Sequence, residues 1–87
     1  MKDFFARTFR GHQFEFNRVL SSSFDPWYYI SVNINNVAVK YRMHTNKEGV
    51  WKITAARLPW LLYSLEGEFN ELILINERPA GPNSRLE

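Results

Sequence analysis

The feature that most constrains this chain is a strict alternation of apolar and polar side chains between residues 28 and 53. The first apolar set comprises Tyr28, Ile30, Val32 and Ile34, and the second comprises Val37, Val39, Tyr41 and Met43. A period of two is typical of a strand with one buried face. Asn35-Asn36 separates the two sets, and Asn tolerates the positive φ of a type I′ turn. The pattern therefore predicts a β-hairpin.

Side-chain pairing fixes the register of this hairpin. A two-residue turn pairs Ile34 with Val37, and the same register sets every apolar residue opposite an apolar partner as far as Tyr28 and Met43. A slip of one residue would move apolar side chains onto the polar face. Residues 46–49 form a second predicted turn that ends in a glycine, and residues 50–54 a third strand that adds Trp51 and Ile53 to the apolar face.

Residues 58–76 have the spacing of a helix that begins near Pro59, a residue suited to a first helical turn. One apolar side of this helix is predicted to contain Leu58, Leu61, Leu62, Leu65, Phe69, Leu72, Ile73 and Asn76. Residues 72–76 are rich in β-branched and aliphatic side chains and could instead form an edge strand. A helix is favoured because the apolar side of the predicted helix continues through residues 72–76 at the same helical spacing.

The N-terminal third is predicted less fully. Residues 12–20 alternate through Phe14, Phe16 and Leu20 and indicate a strand, residues 3–9 fit a strand or a short helix, and residues 21–26 form a loop. The predicted fold is α+β: an antiparallel meander of four to five strands packed on one C-terminal α-helix. A chain of 87 residues fits one domain, expected at 1–78. Residues 79–87 are expected to be a disordered tail, with Leu86-Glu87 left by a cloning junction.

The composition argues against several kinds of chemistry. The chain has no cysteine, which excludes disulfides and thiolate metal ligands, and His12 and His44 are too far apart in sequence to suggest a metal site. No glycine-rich phosphate loop is present, and the three consecutive serines before Asp25 are typical of a turn. We therefore predict no catalytic residue, cofactor or metal. An enzyme whose site combines distant residues remains a third hypothesis.

No leader or membrane-spanning segment is recognised, so a cytoplasmic location without a membrane partner is expected. Charge is divided unevenly, because residues 1–57 carry nine Lys/Arg against four Asp/Glu and residues 58–87 carry two against five. Attraction between the two halves within one molecule is favoured over a separate partner for each half. The sequence motifs at residues 49–53, 58–61 and 65–66 follow one another in an order that resembles short bacterial proteins in general. This resemblance implies no function.

The polar face of the meander is one of two candidate surfaces. Its candidate ligand or nucleic-acid residues are Tyr29, Lys40, Arg42, His44 and Lys52. Cations beside an aromatic ring can hold phosphates and stack bases, so a single-stranded nucleic-acid-binding domain is the alternative function. The simpler interpretation is a solvated face whose lysines protect the sheet from aggregation. Nucleic acid is accordingly an unfavoured partner.

The back of the helix is the second candidate surface. A helical wheel brings together Trp60, Tyr63, Gly67 and Leu74. A glycine in mid-helix costs about 1 kcal/mol relative to alanine, which suggests close approach of another group, and Trp and Tyr are enriched at interface hot spots. The leading hypothesis is a small non-catalytic binding or assembly module that forms a homodimer through this helix, another protein being a further candidate partner. Alternatively, Phe4, Phe5 and Phe9 cover the helix from within the chain.

Overall fold

Five antiparallel strands, neighbours in chain order, form one sheet in the computed structural model, which describes residues 1–22 and 25–78. The strands are β1 (Phe4–Phe9), β2 (His12–Leu20), β3 (Pro26–Ile34), β4 (Val37–Thr45) and β5 (Trp51–Ile53). Two helices follow, α1 (Trp60–Ser64) and α2 (Glu66–Glu77). The predicted α+β meander is confirmed. The expected tail, residues 79–87, lies outside the described part of the chain.

The predicted hairpin register is confirmed. Ile34 pairs with Val37 and Tyr28 with Met43, and the turn residues Asn35 and Asn36 have φ values of 52° and 64°. Positive φ at both central positions is what a type I′ turn requires. The pairing of β4 with β5 also follows the prediction, with Met43 opposite Ile53.

The N-terminal residues 3–9 contain a strand rather than a short helix. Arg10 and Gly11 both have positive φ, at 53° and 79°, and they connect β1 to β2 so that Phe9 lies opposite His12. The strand places Phe5 on the apolar face, where its ring stacks on Phe16 with centroids 4.7 Å apart. Partial burial of Phe5 and Phe9 on one face of an extended chain explains why this segment is a strand.

The predicted single helix is divided in two at Leu65. There the backbone turns more tightly, because the Leu65 N–H donates to the Leu62 carbonyl at 3.2 Å and Leu65 has φ −98° and ψ 2°. Both leucines are buried beside the break. The prediction that Gly67 lies in mid-helix is therefore wrong: Gly67 is the second residue of α2, where the cost of glycine is smaller. Residues 72–76 are helical, as favoured.

The core lies between the helices and one face of the sheet. Its buried side chains are Phe14, Phe16, Tyr28, Ile30, Val32, Tyr41, Met43, Trp51, Leu62, Leu65, Phe69 and Ile73. Phe69 is central, since its ring contacts those of Phe9, Phe14 and Phe16 at centroid distances of 5.1–5.7 Å. Aromatic rings let a short chain bury much apolar area per residue.

The basic sheet half and the acidic helical half meet in two ion pairs. Arg18 Nε lies 2.5 Å from Glu77 Oε2, and Lys52 Nζ lies 3.0 Å from Glu66 Oε1. These pairs support the predicted attraction between the halves within one molecule. They also fix both ends of α2 to the sheet.

Candidate functional site

The sheet has two unlike faces. Every buried side chain of the strands belongs to the face that packs on the helices. We call the opposite side the outer face. On β2, β3 and β4 its side chains are Gln13, Glu15, Asn17, Val19, Trp27, Tyr29, Ser31, Asn33, Ala38, Lys40, Arg42 and His44. All of these are at least partly exposed, so the outer face is a continuous surface across three strands that a ligand could reach.

Four side chains form an aromatic and cationic cluster on the outer face, where β3 begins and β4 ends. Trp27 stacks on His44, with ring centroids 5.6 Å apart and planes 15° from parallel. The guanidinium carbon of Arg42 lies 4.7 Å from the Trp27 ring centroid. The Tyr29 ring meets Trp27 edge-on at 6.5 Å. We call Trp27, Tyr29, Arg42 and His44 the outer-face cluster.

The register explains why these four residues meet. Tyr29 lies directly opposite Arg42 on β4, and extension of the same register by one pair sets Trp27 opposite His44. Opposite residues in antiparallel strands lie within contact distance on one face. The structure therefore brings together three of the residues predicted for the nucleic-acid face, Tyr29, Arg42 and His44.

The other two predicted residues flank the cluster. Lys40 is exposed opposite Ser31, two pairs along the register from Arg42 and on the same face. Lys52 lies opposite His44, but its ammonium group pairs with Glu66 at 3.0 Å, which weakens its attraction for another anion. Lys40 and Arg42 are thus the main cations of the outer face.

Trp27 is the residue that sequence reasoning missed. The loop composition of residues 21–26 ends just before it, and the predicted alternation starts just after it, at Tyr28. If the alternation is extended from Tyr29 toward the N-terminus, Trp27 falls on the same face of the strand. The sequence pattern was therefore sufficient to find this residue. Its inclusion doubles the number of aromatic rings on the outer face of β3.

The histidines are held by neutral partners. His44 Nδ1 lies 3.1 Å from Thr54 Oγ1, and His12 Nδ1 lies 3.3 Å from the Asn33 carbonyl oxygen. His44 also lines a depression of about 360 Å³ that includes Ser21 and Asp25. A nucleophile and its base must lie within hydrogen-bond reach, and the ring-nitrogen contact shown for His44 is to a threonine. The contact with Thr54 positions the imidazole of His44 against Trp27. An enzymatic function is still only a hypothesis.

A second depression of about 290 Å³ lies on the outer face beyond Lys40. Its polar lining comes from β2, β3 and β4: Gln13, Glu15, Ser31, Asn33 and Lys40. Amide and hydroxyl groups of this kind can donate to and accept from the edge of a base. Glu15 is the one carboxylate that the described strands place on the outer face, so this face as a whole favours anions.

The predicted helical interface is divided between the two helices. Trp60 and Tyr63 belong to α1, and Gly67 and Leu74 to α2. Trp60 is 77% exposed and Leu74 is 40% exposed. Tyr63 also has an internal role, because its hydroxyl donates to the Ala55 carbonyl at 2.7 Å.

The N-terminal phenylalanines do not cover this surface. Phe5 contacts Phe16 and Phe9 contacts Phe69, which places both rings on the inner side of the fold. Phe4 is on the outer face of β1 and is 52% exposed. The alternative of intramolecular cover is therefore wrong, because β1 directs alternate rings toward the core rather than toward the back of the helices.

Within residues 1–22 and 25–78, no three His, Asp or Glu side chains lie close enough together to hold a metal ion. No helix in these residues has the length and apolar character needed to cross a membrane. Comparison of the chain with protein-family models, curated proteins and solved structures finds no match. The fold and the outer face define an α+β meander domain with an aromatic and cationic sheet surface that neither described helix covers.

Proposed function

We propose that this protein is a non-catalytic binding module that holds single-stranded nucleic acid on the outer face of its sheet. The observation that carries the proposal is the outer-face cluster, in which Trp27 and Tyr29 lie beside Arg42 on a surface that neither described helix covers. Bases stack on aromatic rings and phosphates bind cations in proteins that hold single strands.

The layout of the cluster suits an extended strand. Trp27 and Tyr29 are alternate residues of one strand, so their backbone positions are about 6.6 Å apart. Arg42 and Lys40 lie on the neighbouring strand beside them. A chain of nucleotides that followed β3 would therefore find rings on one side and positive charge on the other.

A matched pair of tryptophan variants tests this proposal. Binding of fluorescein-labelled oligothymidylate is measured by fluorescence anisotropy for the parent, Trp27→Leu and Trp60→Leu. We expect Trp27→Leu to weaken binding about tenfold, since one base–ring stack is removed. Trp60→Leu changes an exposed tryptophan on the opposite side of the protein and serves as the control.

Salt dependence provides a second criterion. Arg42→Ala removes one phosphate-binding cation, so the slope of log affinity against log salt should fall by about one. Absence of oligothymidylate binding at low salt would contradict the proposal. Equal losses for Trp27→Leu and Trp60→Leu would also contradict it.

Self-association through the helices is the second candidate function. The observation that favours it is the 77% exposure of Trp60, together with the exposed Leu74 on α2. Exposed aromatic and aliphatic side chains of this size are typical of interaction surfaces. The homodimer remains the form of assembly that we propose.

Gly67 provides the sharpest test of the homodimer. A Cβ added at Gly67 meets nothing within 4 Å in its own chain, so Gly67→Ala leaves the monomer intact. It would push away a partner packed closely on that position. Sedimentation velocity should show dimer dissociation for Trp60→Ala, Leu74→Glu and Gly67→Ala but not for Trp27→Leu. A monomeric parent protein at micromolar concentration would exclude this candidate.

A further inference from the structure

Within residues 1–22 and 25–78, no strand pairs with the outward side of β1, which is one edge of the sheet. The Arg18 N–H donates to the Asp3 carbonyl at 2.8 Å, and the same register pairs Phe5 with Phe16. Hydrogen-bonded pairs in an antiparallel ladder recur at every second residue. The N–H and C=O groups of Phe4, Ala6 and Thr8 therefore point away from β2, toward a position that another strand could occupy.

The opposite edge is closed by α2. Asn70 Oδ1 accepts the Trp51 N–H at 2.7 Å, and Glu66 Oε2 accepts the Ile53 N–H at 2.7 Å. At β1, the bond found on the outward side is from Arg7 Nη1 to the Ala6 carbonyl at 3.1 Å. The guanidinium of an exposed arginine is easily displaced, so β1 is the edge that remains available for strand addition.

A groove of about 230 Å³ runs between this edge and α2. Phe5, Leu72 and Ile75 provide its apolar surface, and Lys2, Arg7 and Arg78 provide its charges. Among the described residues, none that lines the groove has a carboxylate side chain. Beside the groove, Glu77 pairs with Arg18 at 2.5 Å, which offsets its charge. Asp3 is 90% exposed and lies 4.0 Å from the same guanidinium, so it is only weakly paired.

The geometry points to an extended acidic peptide as the occupant of this edge and groove. Such a peptide would pair with the outward backbone groups of β1 and direct alternate side chains into the groove. Its carboxylates would meet the three cations that line the groove. A second copy of this chain fits less well, because β1 pairing with β1 brings a second Arg7 and a second basic groove to the same place. The inference is independent of the nucleic-acid proposal, since the outer face is not involved.

Amide exchange measured by NMR tests the mode of binding. The probes are a short peptide of alternating Glu and Val and a control peptide of alternating Lys and Val. With the acidic peptide, the amides of Phe4, Ala6 and Thr8 should gain protection, whereas those of Phe5 and Arg7, already bonded to β2, should not change. The basic peptide should bind about tenfold more weakly or not at all.

Three variants complete the test by fluorescence anisotropy. Arg7→Glu should weaken binding of the acidic peptide about tenfold. Ala6→Pro removes one outward N–H without touching the β2 ladder and should weaken it about fivefold. Tyr29→Ala changes only the outer face and should have no effect. If Ala6→Pro does not fold, the binding measured for Arg7→Glu tests the inference in its place, and unchanged binding by Arg7→Glu would contradict it.

Several results would overturn the inference. Equal binding of the acidic and basic peptides would remove the role assigned to the basic groove. Unchanged amide exchange at Phe4, Ala6 and Thr8 on addition of the acidic peptide would exclude strand addition. Protection of those amides that rises with protein concentration alone would show that a second copy occupies the edge.

Discussion

Helix α2 contacts the two edges of the sheet in different ways. At the β5 edge, near its beginning, α2 uses Glu66 and Asn70 to accept the outward N–H groups of the strand. At its other end, α2 reaches past β1 to side chains of the inner strands, Arg18 on β2 and Tyr28 on β3. The comparison shows that a helix can be anchored to a sheet without closing the nearer edge.

The anchor beside β1 is a network that we call the clasp: Arg18, Tyr28, Asn76 and Glu77. Glu77 accepts hydrogen bonds from Arg18 at 2.5 and 3.2 Å and from the Tyr28 hydroxyl. The Asn76 amide donates to the Tyr28 hydroxyl at 2.7 Å and to the Lys2 carbonyl at 2.8 Å. The clasp thus holds the end of α2, two strands and the N-terminal segment together.

Electrostatics in the clasp favour the charged forms of Arg18 and Glu77. Burial by itself raises the pKa of Glu77, but the hydrogen bonds from Arg18 and Tyr28 outweigh it and hold the pKa below its ordinary value. The hydrogen bond to Glu77 raises the pKa of Arg18. Burial, followed by the hydrogen bond to Glu77, raises the pKa of Tyr28. The clasp is therefore fully formed at neutral pH.

The largest expected effect is at Glu77. Glu77→Ala leaves the largely buried Arg18 without its main partner and should lower the free energy of unfolding by about 2–3 kcal/mol. Urea denaturation measures this loss. Glu71→Ala, at an exposed position of the same helix, is the matched control and should change stability by less than about 0.5 kcal/mol. Similar losses for the two variants would mean that the clasp does not anchor the helix.

The pH dependence of stability should report the same group. The pKa of Glu77 is lowered in the folded protein, so its contribution is present above its ordinary value near 4.5 and is lost as pH falls through the folded-state pKa. The difference in unfolding free energy between the parent and Glu77→Gln should therefore be constant at neutral pH and shrink below about pH 4.5. A difference that does not vary with pH would assign the clasp to neutral hydrogen bonds alone.

The β5 edge should show a smaller effect. Asn70→Ala leaves the Trp51 N–H without its acceptor and should cost about 1–2 kcal/mol. Asn70→Asp keeps an acceptor oxygen at that position and should retain most of the stability. Amide exchange at Trp51 distinguishes edge opening from general destabilisation, because only the loss of this bond exposes that amide in the folded state. Unchanged exchange in Asn70→Ala would show that the edge is protected by other means.

The alternation of apolar residues is sufficient to predict β3, β4 and β5 with their register, since a period of two and the turn residues agree. The alternation does not predict the structure correctly where a polar residue lies on the inward face of a strand. On β2, Phe14 and Phe16 are buried as predicted, but the next inward position is Arg18, and Leu20 is 53% exposed. Arg18 is acceptable there because Glu77, distant in sequence, neutralises it. No local pattern contains that partner.

The outer-face cluster is predicted only in part for the same reason. Tyr29, Arg42 and His44 follow from the alternation and the hairpin register. The packing of Trp27 on His44 and Arg42 depends on ring orientation, which the register does not specify. The division of the helix at Leu65 is also beyond prediction, because a helical wheel assumes a continuous period. The wheel that groups Trp60 with Leu74 does not account for this break.

The smallest expected effect concerns two tyrosines that face α2 from neighbouring strands. The Tyr28 hydroxyl belongs to the clasp, whereas the Tyr41 hydroxyl is buried without a hydrogen-bond partner among the described residues. Tyr28→Phe removes a donor to Glu77 and should cost about 1 kcal/mol, while Tyr41→Phe relieves an unpaired polar group and should be neutral or stabilise by up to about 1 kcal/mol. Urea denaturation of the two variants under identical conditions measures the contrast. Opposite signs would show that the sheet–helix interface is stabilised by polar contacts beside β1 and by apolar packing farther from it. Equal losses would show that the two hydroxyl groups contribute equally to stability, and the two regions would then not differ in this respect.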